Sequence, residues 1–255
     1  MVSGAEQMRV HVRIGFFVLF VLLSAATNYQ AYAGPVEDGD RLYMAGDISG
    51  AIGIWTVPAT QGSAEAQYRL AQVYLSGQSV ARDLELGLRW LNLAAERHFP
   101  PALIDLADLK LDPRNVMYEP DQAIALLRDA AGQGVVQAQR HLGKIYREGK
   151  VAAQDFTEAL HFYRLAAVQG DLESHYRLGE LYRYGYGVDQ NNTKALMWMS
   201  IAASAITGNN PQLKKVAHSA AIARDELSRL IGPAGRAEAD EMASRCWQAK
   251  LANCD

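Results

Sequence analysis

The residues of this chain best suited to chemistry are two cysteines and six histidines, and their spacing puts little catalysis within reach. Cys246 and Cys254 stand eight residues apart in the tail. In an exported protein they can pair; the alternative is two free thiols. One straight helix across them would hold the Cα atoms about 12 Å apart, whereas a disulfide needs less than about 7 Å. A bridge therefore requires the last helix to end near Lys250, with Asn253 in a turn. Closing so short a loop adds roughly 2–3 kcal/mol at most in the chain-entropy model. His141 and His175 lack carboxylates in register, so they read as two solvated imidazoles rather than as a metal pair. No H-E-x-x-H, G-x-S-x-G, phosphate loop or dinucleotide fingerprint occurs. No catalytic residue, metal or cofactor is expected, and the chain is not read as an enzyme. Gly185-Tyr186-Gly187 reads as a turn, not a phosphate cradle. Asn191-Asn192-Thr193 fits an N-glycosylation acceptor, but its setting is that of a helix start.

What must position these residues is a ladder that recurs every 36 positions. One rung holds Leu70, Leu106, Leu142 and Leu178; another holds Ala94, Ala130, Ala166 and Ala202; the next holds Ala95, Ala131, Ala167 and Ala203. Val73, Leu109, Ile145 and Leu181 make a fourth, and Trp90, Leu126, Phe162 and Trp198 a fifth. A fixed period of this size, kept without gaps, means one supersecondary unit stacked on copies of itself. In the unit 64–99, Ala66, Leu70, Val73, Tyr74 and Gly77 share one face of a first helix. Gly77 ends that helix, as Gly149 and Gly185 do in later copies. Asp83 is placed to cap a second helix, whose buried stripe is Leu84, Gly87, Leu88, Trp90, Leu91, Ala94 and Ala95. Gly or Ala at 87, 123, 159 and 195 predicts close helix contact, because a larger side chain would push the pair apart. Pro113 and Pro120 predict an irregular turn in the second unit.

The expected fold is all-α: a right-handed α-solenoid of stacked helix-turn-helix repeats with a C-terminal helical cap. An atypical helical pair takes 34–63. Four units follow at 64–99, 100–135, 136–171 and 172–207. Capping helices fill 208–255, interrupted at Gly232-Pro233, with charged faces that solubilise the end of the array.

The third and fourth units carry a recognisable pattern. Leu178, Gly179, Tyr182, Gly185, Gly187, Val188, Lys194, Ala195, Trp198, Ala202 and Ala203 mark the fourth. Ala138, Leu142, Gly143, Tyr146, Gly149, Asp155, Ala159, Ala166, Ala167 and Gly170 mark the third. In these residues the chain resembles the Sel-one-like repeat (SLR) family, a branch of the tetratricopeptide class, from about 47 to 207. The second unit departs from it, with Lys110 for Tyr and Pro113 for Gly. The resemblance implies a protein-interaction scaffold, adaptor or regulator of a bacterial envelope complex. A cysteine-rich branch of the family, credited with penicillin binding, implies an alternative: cell-wall ligand binding or weak β-lactam hydrolysis. That branch has a disulfide in each repeat, and this chain has no Cys within its repeats. A third reading is a self-assembling spacer.

In solenoids of this class first helices line the concave face. The positions left there after removing the buried rungs are Tyr68, Arg69, Gln72, Asp105, Asp108, Arg140, His141, Lys144, Arg147, Tyr176, Arg177, Glu180, Arg183 and Tyr184. Repeat two offers two acids and repeats three and four five cations, a contrast that would orient an extended partner. With 25 basic and 28 acidic residues, net −3, the chain has no electrostatic footprint for nucleic acid. The partner is expected to be another protein, in the envelope or secreted. Arg9 and Arg13 precede the apolar run 14–23, and Ala31-Tyr32-Ala33 closes the segment. That is the order of a secretory signal, with an uncleaved anchor as the alternative. The run is about half of the roughly 20 residues that span a bilayer. Residues 1–33 are thus expected to be removed after Ala33, leaving a periplasmic or secreted protein with no stable membrane insertion.

Overall fold

The computed structural model describes residues 34–78, 80–205, 208–249, 251 and 254. The expected export signal, the expected cleavage point after Ala33 and the turn expected at Asn253 lie outside the described residues. Among these the chain is all-helical and forms a solenoid of paired helices. The pairs are α1 (Pro35–Met44) with α2 (Ile48–Thr60), α3 (Ala64–Ser76) with α4 (Leu84–Glu96), and α5 (Pro100–Leu111) with α6 (Pro120–Gly132). They continue with α7 (Val136–Glu148) and α8 (Phe156–Ala167), then α9 (Leu172–Tyr184) and α10 (Asn192–Ser204). A long segment, α11 (Pro211–Gln248), closes the array.

The helix limits follow from local chemistry. Asp47, Asp83, Asp155, Asp171, Asn191 and Asn210 each accept from backbone N–H groups of the first turn, at 2.8 to 3.2 Å. Proline opens α5, α6 and α11, where its missing N–H costs nothing. Pro120 thus starts a helix, and the irregular turn is confined to 112–119. Gly77, Gly149 and Gly185 stop α3, α7 and α9 in the left-handed region, at φ of 65°, 67° and 70°. Gly232 breaks α11 with φ 70° and ψ −172°, immediately before Pro233.

The rungs form the core. Leu70, Leu106, Leu142 and Leu178 are buried, as are Ala94, Ala130, Ala166 and Ala202. Trp198 and Phe162 are buried, while Trp90 and Leu126 on the same rung are half-buried. Leu84 departs from its expected place in the stripe: it is 49% exposed, standing at the first residue of α4 beside the turn. The small-residue column does what its spacing predicts. A methyl on Gly87 would sit 2.7 Å from the Leu75 side chain, and Ala123, Ala159 and Ala195 are fully buried.

Polar ties hold one repeat to the next. Gln67 Nε2 donates to the Ala59 carbonyl at 2.9 Å, and Gln139 Nε2 to the Ala131 carbonyl at 3.2 Å. One period on from Gln139, His175 Nε2 donates to the Ala167 carbonyl at 2.9 Å. His175 is therefore no solvated imidazole: it is 3% exposed and stacked near Trp198. Burial pushes its pKa down, against the Ala167 bond.

The end of the array is pinned by a disulfide. Cys246 and Cys254 are bonded, with Cα atoms 4.6 Å apart. The chain turns back after Gln248: Leu251 adopts φ 65° and its N–H bonds the Cys246 carbonyl at 2.8 Å. Cys246, Leu251 and Cys254 join the core around Trp198 and Leu227. The outer face of α11 is less polar than its charges suggest, since Ile222, Leu230 and Trp247 are at least half exposed.

Candidate partner-binding face

The first helices α3, α5, α7 and α9 place residues 36 apart in columns along one face. The columns are Tyr68, Ile104, Arg140, Tyr176; then Arg69, Asp105, His141, Arg177; then Gln72, Asp108, Lys144, Glu180. Two more follow: Leu75, Leu111, Arg147, Arg183 and Ser76, Asp112, Glu148, Tyr184. Bonds between neighbouring helices show that the columns face one another. The Tyr68 hydroxyl donates to Asp105 Oδ2 at 2.8 Å and accepts from Gln72 Nε2 at 2.7 Å. His141 Nδ1 lies 3.5 Å from Asp108 Oδ1.

Exposure sorts the predicted residues. Gln72, Asp108, Lys144 and Tyr184 are exposed. Arg69, Asp105, Arg140, Arg147, Tyr176, Arg177, Glu180 and Arg183 are half-buried. Tyr68 is buried, at 8% exposure, against Phe99 and the Asp105 carboxylate, so it is not the exposed position that spacing predicted. Its hydroxyl pKa is driven up by burial and by the bond to Asp105.

The charges do not form the open acidic and basic stretches that a linear reading gives. Arg69 forks onto Asp40 at 2.9 and 2.8 Å. Arg140 reaches Asp171 at 2.5 Å, Arg147 reaches Glu148 at 3.0 Å, and Arg177 reaches Glu180 at 2.9 Å. Arg183 reaches Glu226 on α11 at 3.0 Å. The pairs of Arg69, Arg140 and Arg183 bridge elements and act as seams of the solenoid, whereas those of Arg147 and Arg177 stay within α7 and α9. Lys144 has no ion pair among the described residues. The two acids of α5 are different. Asp105 accepts from a neutral tyrosine, and Asp108 faces His141, whose pKa burial pushes down, against the Asp108 charge. Burial raises the pKa of both carboxyls; Tyr68 opposes it at Asp105 and His141 opposes it at Asp108.

Two cavities open on this face. One of about 270 Å³ lies among α1, α2 and α3, lined by Asp40, Tyr43, Met44, Trp55, Arg69, Gln72 and Val73. The other, about 250 Å³, lies between α5 and α7, lined by Asp108, Leu111, His141, Lys144, Ile145, Glu148, Lys150 and Val151. At the far end Tyr184 and Tyr186 are 53% and 46% exposed, with ring centroids 5.6 Å apart. Tyr186 stacks on Phe156 at 4.7 Å, and Arg183 lies over the Tyr184 ring.

Residue-column reasoning finds Asp108, His141 and Lys144 but misses Leu111 and Val151. The missed signal is an apolar residue at 111, in the column where Arg147 and Arg183 stand. Tyr43, Met44 and Trp55 belong to the pair outside the regular period, so no column points to them. Asn191 serves as the cap of α10, accepting from the Lys194 N–H at 2.8 Å. No helix among the described residues is long and apolar enough to cross a membrane.

The family model for the Sel1 repeat matches residues 64–99, 136–171 and 172–205. The chain carries three Sel1 repeats. Residues 100–135, between the first two matched repeats, fold as α5 and α6 in the same period. A crystal structure of a Sel1 repeat protein from Oxalobacter formigenes superposes with a TM-score of 0.63 at 23% identity, covering 76% of this chain and 84% of that one. At that identity the likeness is one of fold. Chitin synthase regulatory factor 3 of Schizosaccharomyces pombe is 30% identical over 109 residues, 40% of this chain and 12% of that protein. An uncharacterized protein of Neisseria meningitidis serogroup B is 32% identical over 103 residues, 40% of this chain and 21% of that one. The Sel1 array here thus spans about an eighth to a fifth of these curated relatives. Sel1 repeats are generally scaffolds for protein–protein binding.

Proposed function

We propose that this Sel1 repeat protein is an exported scaffold or adaptor that regulates an envelope complex by holding a partner protein along its first-helix face. The observation that carries the reading is the pairing of two apolar cavities with exposed Gln72, Lys144 and Tyr184 on one face. Exposed aromatic and cationic side chains beside apolar cavities are the usual anchors of an interface. Arg69, Arg140 and Arg183 contribute through the seams they hold, which keep the columns in register. Export is supported by the Cys246–Cys254 disulfide, since such bonds persist in oxidising compartments, and by the charge and apolar order of residues 1–33. The reading is non-enzymatic.

The test is affinity capture from envelope extract by the purified protein and by the triple variant Gln72→Ala, Lys144→Glu, Tyr184→Ala. These three side chains are exposed, so the variant keeps its fold, which circular dichroism verifies. One protein retained by the native chain and lost with the variant supports the reading; equal retention by both contradicts it. N-terminal sequencing of the exported protein should begin at Gly34.

A further inference from the structure

The cavity between α5 and α7 has a chemical bias that the rest of the face lacks. Its floor is apolar, made by Leu111, Ile145 and Val151. At about 250 Å³ it falls below the range of about 300–1,000 Å³ typical of small-molecule clefts, a size suited to one inserted side chain. Its α5 rim carries Asp108, with Asp105 one turn earlier. Elsewhere on this face the half-buried charges are matched: Arg69, Arg140, Arg147, Arg177 and Arg183 each hold a carboxylate. Asp105 and Asp108 reach no lysine or arginine within ion-pair distance among the described residues. Their partners are a phenol and a histidine whose pKa burial lowers against the Asp108 charge. Two partly desolvated carboxylates without a cation beside an apolar cavity are complementary to an incoming cation next to an apolar group. The opposite rim fixes where that cation goes. Lys144 is exposed with no ion pair among the described residues, and Lys150 pairs with Glu148 at 3.5 Å. A cation on that side would meet like charge.

We propose that the α5–α7 cavity binds a partner-protein segment in which a lysine or arginine adjoins a bulky apolar residue, the apolar side chain entering the cavity and the cation sitting on Asp105 and Asp108. This rests on the partner-binding reading of the first-helix face and names the chemistry of the segment it takes. Charge-assisted bonds to the half-buried Asp105 and the exposed Asp108 supply specificity, and the apolar side chain supplies most of the affinity.

The test is to pan a random twelve-residue peptide library displayed on phage against the purified protein. Enriched peptides are then measured against three forms: native, Asp105→Asn with Asp108→Asn, and Val151→Arg. The asparagines still accept from Tyr68 and keep the local bonds, and Val151→Arg fills the cavity from its turn. The expected result is enrichment of Lys or Arg next to Leu, Ile, Met or Phe. Binding should fall about ten- to hundredfold with the asparagine pair, and also with Val151→Arg. Peptides that lack a cation but are lost with Val151→Arg would overturn the cationic assignment and leave the face as a binding surface. Enriched peptides insensitive to both variants would overturn the assignment and count against the face as well. A library that yields no binder would also overturn the assignment, with the capture experiment deciding the wider reading.

Discussion

Asp171 is where one residue does two separable jobs. Its Oδ1 accepts from the Ser174 N–H at 2.9 Å and from the Ser174 hydroxyl at 2.7 Å, capping α9. Its Oδ2 holds Arg140 of α7 at 2.5 Å, with the Asp171 side chain 8% exposed and that of Arg140 31% exposed. Asp171→Ala removes both. The cap is worth about 1 kcal/mol. The ion pair is partly buried and bonded, yet one partner is a third exposed, so solvent screening holds it to about 1 kcal/mol. The sum is about 2 kcal/mol, or a Tm lower by about 4–8 °C for a chain of this size. Asp171→Asn keeps the cap acceptor and removes the charge, and should lose about half of that. The assay is thermal unfolding followed by circular dichroism, closed as a double-mutant cycle with Arg140→Gln. The cycle should return a coupling near 1 kcal/mol between positions 140 and 171. If Asp171→Asn melts with the native chain and the cycle shows no coupling, Arg140 is not a seam residue. The reassignment of Arg69, Arg140 and Arg183 from partner contacts to seams would then fail.

Three further outcomes are expected. His175 has its pKa lowered by burial, so its contribution to stability is present above its ordinary value of 6.5 and is lost as pH falls through the folded value. His175→Gln, which installs the residue found at the equivalent positions 67 and 139, should keep the tie to Ala167 and reduce the loss of stability measured by urea titration between pH 7 and pH 5. Cys246→Ser should destabilise the cap by roughly 2–3 kcal/mol from loop closure alone, seen as faster hydrogen exchange over 211–249 with little change in α3 to α8. Leu142→Ala empties a fully buried rung in the middle of the array and should cost about 3–5 kcal/mol in denaturant unfolding, whereas Lys144→Ala, two residues away and exposed, should change stability by less than about 0.5 kcal/mol.

The fold was legible because the ladder is a direct record of burial. A residue that packs in every repeat must recur at the repeat length, so Leu142 or Ala130 announces itself without any structure. Caps were legible for the same reason: Asp83 and Gly77 satisfy orphan backbone groups, a local matter. The face was less legible because the fate of a charge is set by distant residues. Arg69 reads as an exposed cation until Asp40, on another helix and off the period, is known to hold it. Arg183 is claimed by Glu226, across 43 residues. Tyr68 stands where Arg140 stands two repeats later, yet Phe99 and Asp105 bury it. His175 looked free because its acceptor is a backbone carbonyl, which leaves no trace in residue identity. The cavities were hidden in the places where the period fails, at Leu111 and in the first helical pair.

The most direct test of the central claim is site-specific photo-crosslinking in cells. A photoreactive amino acid is placed singly at Gln72, Lys144 and Tyr184 on first helices, and at Arg89 and Ala125, which are exposed on second helices. The account predicts that the first three positions crosslink to one common protein and that the last two do not. Crosslinks from Arg89 or Ala125, with none from the first-helix positions, would contradict it.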